Sequence, residues 1–418
     1  MNLAKVSGKL KEQIYVFSGK LSWGLPKVSG RFVREALYGI QSRQSVRLSE
    51  VARALNDKIP LIKTINRLCR QLSRERLWQK LSVGILRLAA PSIEVDTLLI
   101  LDTSDITKPH AKGMEHLDRV YNGSDGSLGD GYWTTQVVAC QTGSSEIVPL
   151  YCRLYSQSAP DFEGENREIE GAISMVSRAT EGRGIWVIDR GADRRELFDY
   201  FLTEKRRFII RLKGDRNMLY RGQTLLVREI AQRCSLPYRE VIIKEEKSLE
   251  KRYDISFGFC KVQLPDAPVP LCLLVVRGFG EEPMMLLTNL SLRKNRDVLY
   301  FVVESYITRW KVEETIRFVK QSYRLEDIRL LTYIRLQNMM ALVLAAAFFA
   351  AVYIGQRLKL EALSATVLRL SKKIFGIPDF RYYAIADGIK RVLEHDNKGL
   401  ERPQPPWSPR TQLNLLIT

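Results

Sequence analysis

His110, His116 and His395 are the only imidazoles in a chain of 418 residues that carries 65 Lys and Arg. A His-rich zinc site is poorly supplied, and a Ser-His-Asp triad would have to use one of those three. Metal chemistry, if any, falls to carboxylates. Asp102 closes the apolar run TLLILD and Asp189 closes IWVID. Either aspartate alone fits a helix N-cap or a turn equally well. If both runs belong to one sheet, neighbouring strand ends bring the two carboxylates together. A third acid stands on a helical segment, Ser305–Arg329, where Tyr306, Arg309, Glu313 and Lys320 fall within an arc of about 60° at about 100° per residue. Glu314 points about 100° away from Glu313, and an exposed charged helix face could carry the same stripe. Three carboxylates suit Mg²⁺, a hard ion that prefers oxygen ligands. Two such ions about 4 Å apart serve in-line phosphodiester hydrolysis and transesterification. Arg309 and Lys320 would offer positive charge to a phosphate.

The elements that must position these groups follow from the hydrophobic pattern. Strand-like runs at 97–102, 132–140 and 147–155 precede a helical stretch at 165–178, strand 185–189, helix 194–205 and strand 208–212. Three consecutive strands suggest an antiparallel meander, and the later alternation suggests parallel additions, so the expectation is a mixed sheet with helices packed on it. Residues 215–300 interrupt the alternation with β-rich text and read as an inserted subdomain. Asp105, three residues beyond Asp102, is a rival for the first carboxylate, because ends of short strands are hard to place.

Charge is distributed unevenly. Residues 1–90 hold 18 Lys and Arg against 5 Asp and Glu, which is +13 of the chain's net +18. Such asymmetry marks a basic module with a polyanionic partner, and it ends near residue 92, before the first strand. Within it, Leu48–Leu55 and Leu61–Arg74 are two short helices at helix-turn-helix spacing. Lys63, Arg67, Arg70 and Arg74 share one arc of the second helix, while Ile62, Ile65, Cys69 and Leu72 lie on another side. A solvated charged face is the plain reading of such a stripe; phosphate contact is the functional one.

The six cysteines form no C-x-x-C pair, and the first residues, MNLAKVSGKLKEQ, lack an apolar signal region. A reduced, cytoplasmic protein is the expectation. The Ala-rich segment Met339–Gly355 has 17 residues, short of the roughly 20 a membrane span needs, and reads as a buried core helix. The stretch GLERPQPPWSPRTQ, with four prolines in 14 residues, reads as an extended arm.

Taken together, Y-x2-R-x3-E-x6-K at Tyr306, Arg309, Glu313 and Lys320 resembles the signature of DDE transposases of bacterial insertion sequences. LDTSDITKP around Asp102 and WVIDRGADRRELFDYFLTEKRRFIIRLKGDR around Asp189 look like that family's first and second acidic blocks, in family order. The likeness spans about residues 95–355. It implies an α/β fold: a ribonuclease-H-like mixed-sheet core (93–214 and 300–375) interrupted by a β-rich insertion (215–299). A helical DNA-binding domain (1–92) would precede the core and a C-terminal segment with a Pro-rich tail (376–418) would follow. It also implies that Asp102, Asp189 and Glu313 are catalytic and hold two divalent ions, Mg²⁺ or Mn²⁺, and that Tyr306, Arg309 and Lys320 contact the DNA backbone. The partners implied are double-stranded DNA, as element ends and as target, and a second copy of the chain in the DNA complex. No membrane partner is implied, and the location is cytoplasmic, at the nucleoid. Some members stack a flipped base on a Trp of the insertion. Residues 215–300 have none, leaving Tyr253, Phe257, Phe259 or Phe279 for that part. Two other functions use the same residues: a non-catalytic DNA-binding regulator derived from such an enzyme, and a structure-selective nuclease that cuts without joining.

Overall fold

A computed structural model of the chain describes residues 3–400, apart from 122, 124–125, 145, 247–248, 356–364, 366, 370, 372–381 and 396–398. The Pro-rich stretch falls almost wholly outside the described residues. Five helices come first: α1 (Leu3–Leu21), α2 (Lys27–Arg43), α3 (Leu48–Leu55), α4 (Leu61–Leu72) and α5 (Leu77–Ala89). Then come β1 (Leu98–Thr107), β2 (Asp118–Tyr121), β3 (Leu128–Cys140), β4 (Ile147–Tyr155), α6 (Glu165–Ala179), β5 (Ile185–Ile188), α7 (Arg195–Thr203) and β6 (Phe208–Arg211). The insertion comprises β7 (Asn217–Tyr220), β8 (Gln223–Leu226), α8 (Val227–Arg233), β9 (Tyr238–Glu246), β10 (Leu249–Leu264), β11 (Ala267–Arg277) and β12 (Met284–Thr288). Among the described residues, α9 (Arg296–Thr308), α10 (Trp310–Ser322), α11 (Tyr333–Phe348) and α12 (Tyr382–His395) follow.

The expected mixed sheet is present. β3 runs antiparallel to β1, whereas β1, β5 and β6 are mutually parallel, in the order β3-β1-β5-β6 with β4 on the far side of β3. The parallel-paired parts of these strands are short buried apolar runs (LLIL in β1, IWVI in β5, FII in β6), as expected for strands inside a layered α/β fold. The insertion does not form a sheet of its own. β12 pairs with β6 through Leu286, Leu287 and Thr288, and β11 and β10 follow, so its strands prolong the core sheet.

The helices of residues 1–92 share their core with the C-terminal helices. α11 packs on β4, α5, α2 and α4, and α12 packs on α1 and α2. Polar side chains tie these layers together. On α11 the Asn338 amide donates to the carbonyls of Leu72 and Arg74, at 2.7 and 2.9 Å, and accepts from the Trp78 N–H at 2.8 Å. One side chain thus satisfies the end of α4 and the start of α5, whose backbone groups lack helical partners. Gln41 on α2 likewise donates to the Ala346 carbonyl at 2.7 Å. The helical stretch Tyr333–Ile354, whose last turn is a π-helix over Phe349–Ile354, is long and apolar enough to cross a membrane. The fold buries 94% of its apolar window, so protein covers it.

The segment Ser305–Arg329 is not one helix. α9 ends at Thr308 and α10 starts at Trp310, with Arg309 at the joint, where its N–H is shared between the Ile307 and Tyr306 carbonyls. α10 stops at Ser322, and Arg324 turns left-handed (φ 50°) before a 3₁₀ turn at Leu325–Asp327. Helical spacing treats the segment as a single rod; the structure divides it at Arg309, whose backbone keeps helical angles (φ −52°, ψ −32°).

Candidate active site

β1 and β5 run side by side only as far as the pair Leu101 and Ile188. The next residues are Asp102 and Asp189, so the parallel pairing releases both aspartates at the same level. β1 itself continues to Thr107, paired with β3 to Gly131, which corrects the expectation that it ends at Asp102. β5 departs instead. Asp189 caps a 3₁₀ turn over Arg190–Ala192, its Oδ1 accepting from the Gly191 N–H at 2.7 Å. The N-cap and the site-residue readings of Asp189 therefore describe the same side chain. A side chain at Gly191 would place its Cβ 2.9 Å from that carboxylate oxygen, so glycine leaves the acid room. On β1, Asp102 Oδ1 accepts from the Thr103 N–H at 2.9 Å.

The joint between α9 and α10 delivers a cation to these acids. Arg309 is only 7% exposed. Its Nη1 lies 3.8 Å from Asp102 Oδ2 and its Nη2 lies 3.4 Å from Glu313 Oε1. Tyr306, expected to face DNA, is buried, and its ring backs the Arg309 guanidinium at 5.6 Å. Glu313 keeps 55% of its side chain exposed. Lys320, two turns further along α10, lies 3.6 Å from Asp105, which is buried. Asp102, Asp105, Glu313 and Lys320 line one open cleft of about 710 Å³. The rival Asp105 is thus the partner of Lys320, whereas Asp102 is the carboxyl that faces the other two acids.

The electrostatics agree with that division. Burial, then the charges of Asp189 and Glu313, push Asp102 up to about 6 against the pull of Arg309 and the Thr103 N–H. Burial works to lower the Arg309 guanidinium, but Tyr306, Asp102, Asp189 and Glu313 together hold it above its ordinary range. Asp102 is therefore a carboxyl short of positive charge, in a donor set of hard oxygens, and that suits a divalent ion. The side chains as they stand are not at ligation spacing: among the described residues no three His, Cys, Asp or Glu side chains could hold one ion. The guanidinium lies between two of the acids.

A family model described as Transposase DDE domain matches residues 95–349, more than half of the chain and the whole stretch that carries these acids. The chain belongs to the DDE transposase family. No curated protein matches it. Among solved structures it is similar to the piggyBac transposase synaptic complex with hairpin DNA, at 11% identity and a TM-score of 0.43, over 96% of this chain and 84% of that one.

The transposase presents the residues of its basic module unequally. Lys63, Arg70 and Arg74 are exposed. Arg67 is held between α2 and the α3–α4 turn by Glu35 and by Asp57 Oδ2, the latter at 2.7 Å. The buried side of α4 is Thr64, Leu68 and Leu72, while Ile62, expected on the apolar face, is exposed. Sequence periodicity missed Arg67's partners because both acids lie on other elements. In the insertion Phe257 is buried, and Tyr253 packs on Phe279 with ring centroids 5.3 Å apart.

Proposed function

We propose that this transposase acts on the terminal inverted repeats of an insertion sequence, cutting the DNA at the element's ends and joining the 3′ ends to target DNA. The observation that carries the reading is that Asp102 and Asp189, released side by side from parallel strands, share the charge of Arg309, at the α9–α10 joint, with Glu313 of α10. The strand order β3-β1-β5-β6, with β3 alone antiparallel, supports a ribonuclease-H-like core.

Asp102, Asp189 and Glu313 are the residues that would hold Mg²⁺ or Mn²⁺. When bound, the ions activate the attacking oxygen and stabilise the leaving one. The chain's own part is to bind and orient. Lys320 offers charge to a backbone phosphate at the cleft, and Arg309, buried beside Asp102 and Glu313, supplies positive charge behind them. Asp105 fixes the Lys320 ammonium, and Gly191 fixes the Asp189 carboxylate. Lys63, Arg70 and Arg74 add sequence-independent phosphate contacts from the helical module. Double-stranded DNA is the partner, bound by two copies of the chain, in the cytoplasm at the nucleoid. Tyr306 takes part through Arg309 rather than by touching DNA.

Glu313→Ala tests the reading. Cleavage and joining of an element end in Mg²⁺ should be lost while gel-shift affinity for that end stays within about threefold, because most phosphate contacts lie elsewhere. Normal cleavage by the variant would refute the carboxylate assignment. Cleavage without joining by the unaltered protein would make it a nuclease.

A further inference from the structure

We infer that Arg309 is an internal cation which competes with divalent metal for the site carboxylates, so that its guanidinium must leave Asp102 and Glu313 before an ion can be held there. The inference rests on the reading of Asp102, Asp189 and Glu313 as metal ligands. Three observations carry it. The guanidinium spans two of the three acids, 3.8 Å from Asp102 and 3.4 Å from Glu313. Those contacts are loose, since charge-assisted N–H···O bonds usually measure about 2.7–2.9 Å. The Nε of this buried group has no partner among the described residues, so the side chain is under-satisfied where it sits.

Two cations cannot occupy the same carboxylates without mutual repulsion. A doubly charged ion with hard-oxygen preference gains more from Asp102 and Glu313 than a guanidinium held at such distances. Arg309 sits at the joint of α9 and α10, on a long side chain whose rotation would carry the guanidinium from its buried position toward the cleft that Asp102 and Glu313 line. The position it would reach is the rim where a backbone phosphate could take it as a partner. Arg309 is thus placed to occupy two of the acids in the free protein, without fully compensating Asp102, and to release them when charge is offered elsewhere.

Calorimetric titration of the full chain with Mn²⁺ alone, without DNA, tests this. Arg309→Gln should bind Mn²⁺ at least about fivefold more tightly than the unaltered protein, the lower end of usual coupling between sites. Arg309→Lys keeps charge and bulk but loses the fork that spans both acids. It should shift affinity in the same direction by less, and it decides the matter if Arg309→Gln does not fold. Guanidinium ion at non-denaturing concentration should weaken Mn²⁺ binding to Arg309→Gln. Equal or weaker Mn²⁺ binding by both variants would overturn the inference. Asp102→Asn and Glu313→Gln separate it from its premise. If they abolish Mn²⁺ binding while the Arg309 variants do not tighten it, competition fails and the metal assignment stands. If they leave Mn²⁺ affinity unchanged, the metal assignment itself fails.

Discussion

Asp102→Asn should make the metal-free protein more stable, although it removes an ion-pair partner. The carboxyl is raised from 3.8 to about 6, with burial as the largest cause, followed by the opposing pull of Arg309 and then the push of Asp189. A group raised in the folded state binds its proton more tightly there, so folding is penalised wherever the carboxylate is ionised. The penalty is fully present above about pH 6, and it is relieved as pH falls toward 4. Each tenfold change in proton affinity is worth about 1.4 kcal/mol, so the penalty amounts to about 3 kcal/mol near pH 7.5 and about 1.5 kcal/mol near pH 5. Asparagine keeps the oxygen that accepts from the Thr103 N–H and cannot ionise. Urea unfolding in the presence of chelator should therefore show the variant more stable by up to about 3 kcal/mol near pH 7.5, with the gap roughly halved near pH 5. A variant less stable than the unaltered protein near pH 7.5, or a gap that widens on acidification, would refute this reasoning. It would mean that Arg309 already compensates the buried charge.

Gly191→Ala should leave stability within about 1 kcal/mol of the original, because the Cβ meets only the Asp189 carboxylate oxygen, at 2.9 Å. Cleavage should nonetheless fall by about tenfold or more as that carboxylate is displaced; unchanged kinetics would show that the Asp189 position is not critical. In the basic module, Lys63→Ala, Arg70→Ala and Arg74→Ala should each lower the slope of log affinity against log salt by about 0.9. Arg67→Ala should instead cost stability, about 1–3 kcal/mol, since it leaves the buried Glu35 with fewer partners. Equal salt slopes throughout would mark the stripe as a solvated face. In the insertion, a hydrogen bond from Cys260 holds the Cys234 thiol below its ordinary range, while Cys260 and Cys272 are pushed up. Iodoacetamide at neutral pH should alkylate Cys234 before the other two, as peptide mapping by mass spectrometry would read.

What the sequence conveys about this site is residue type, order and local face; what it withholds is whatever stands opposite. The apolar runs ending at Asp102 and Asp189 could be read because LLIL and IWVI are buried throughout and carry no polar position to blur them. That β1 continues to Thr107 could not, because DTSDIT is polar text and its strand conformation is imposed by pairing with β3. Periodicity placed Tyr306, Arg309, Glu313 and Lys320 on one face but assumed a continuous helix. At the joint the Arg309 guanidinium is drawn in among Asp102 and Glu313 over the Tyr306 ring, contacts that periodicity along one segment does not convey. The basic stripe shows the same limit: Arg67 has the same residue type and arc as its neighbours, and the approach of Glu35, 32 positions earlier, and of Asp57 removes it from the exposed set. A charge pattern along one helix thus identifies candidate phosphate ligands, and the acids brought up from other elements decide which of them remain available. The same rule applies at the cleft. Asp105 claims Lys320 and two site acids claim Arg309, so the free protein already pairs, though incompletely at Asp102, the charges that a metal and a phosphate would meet, and binding either must break contacts already made.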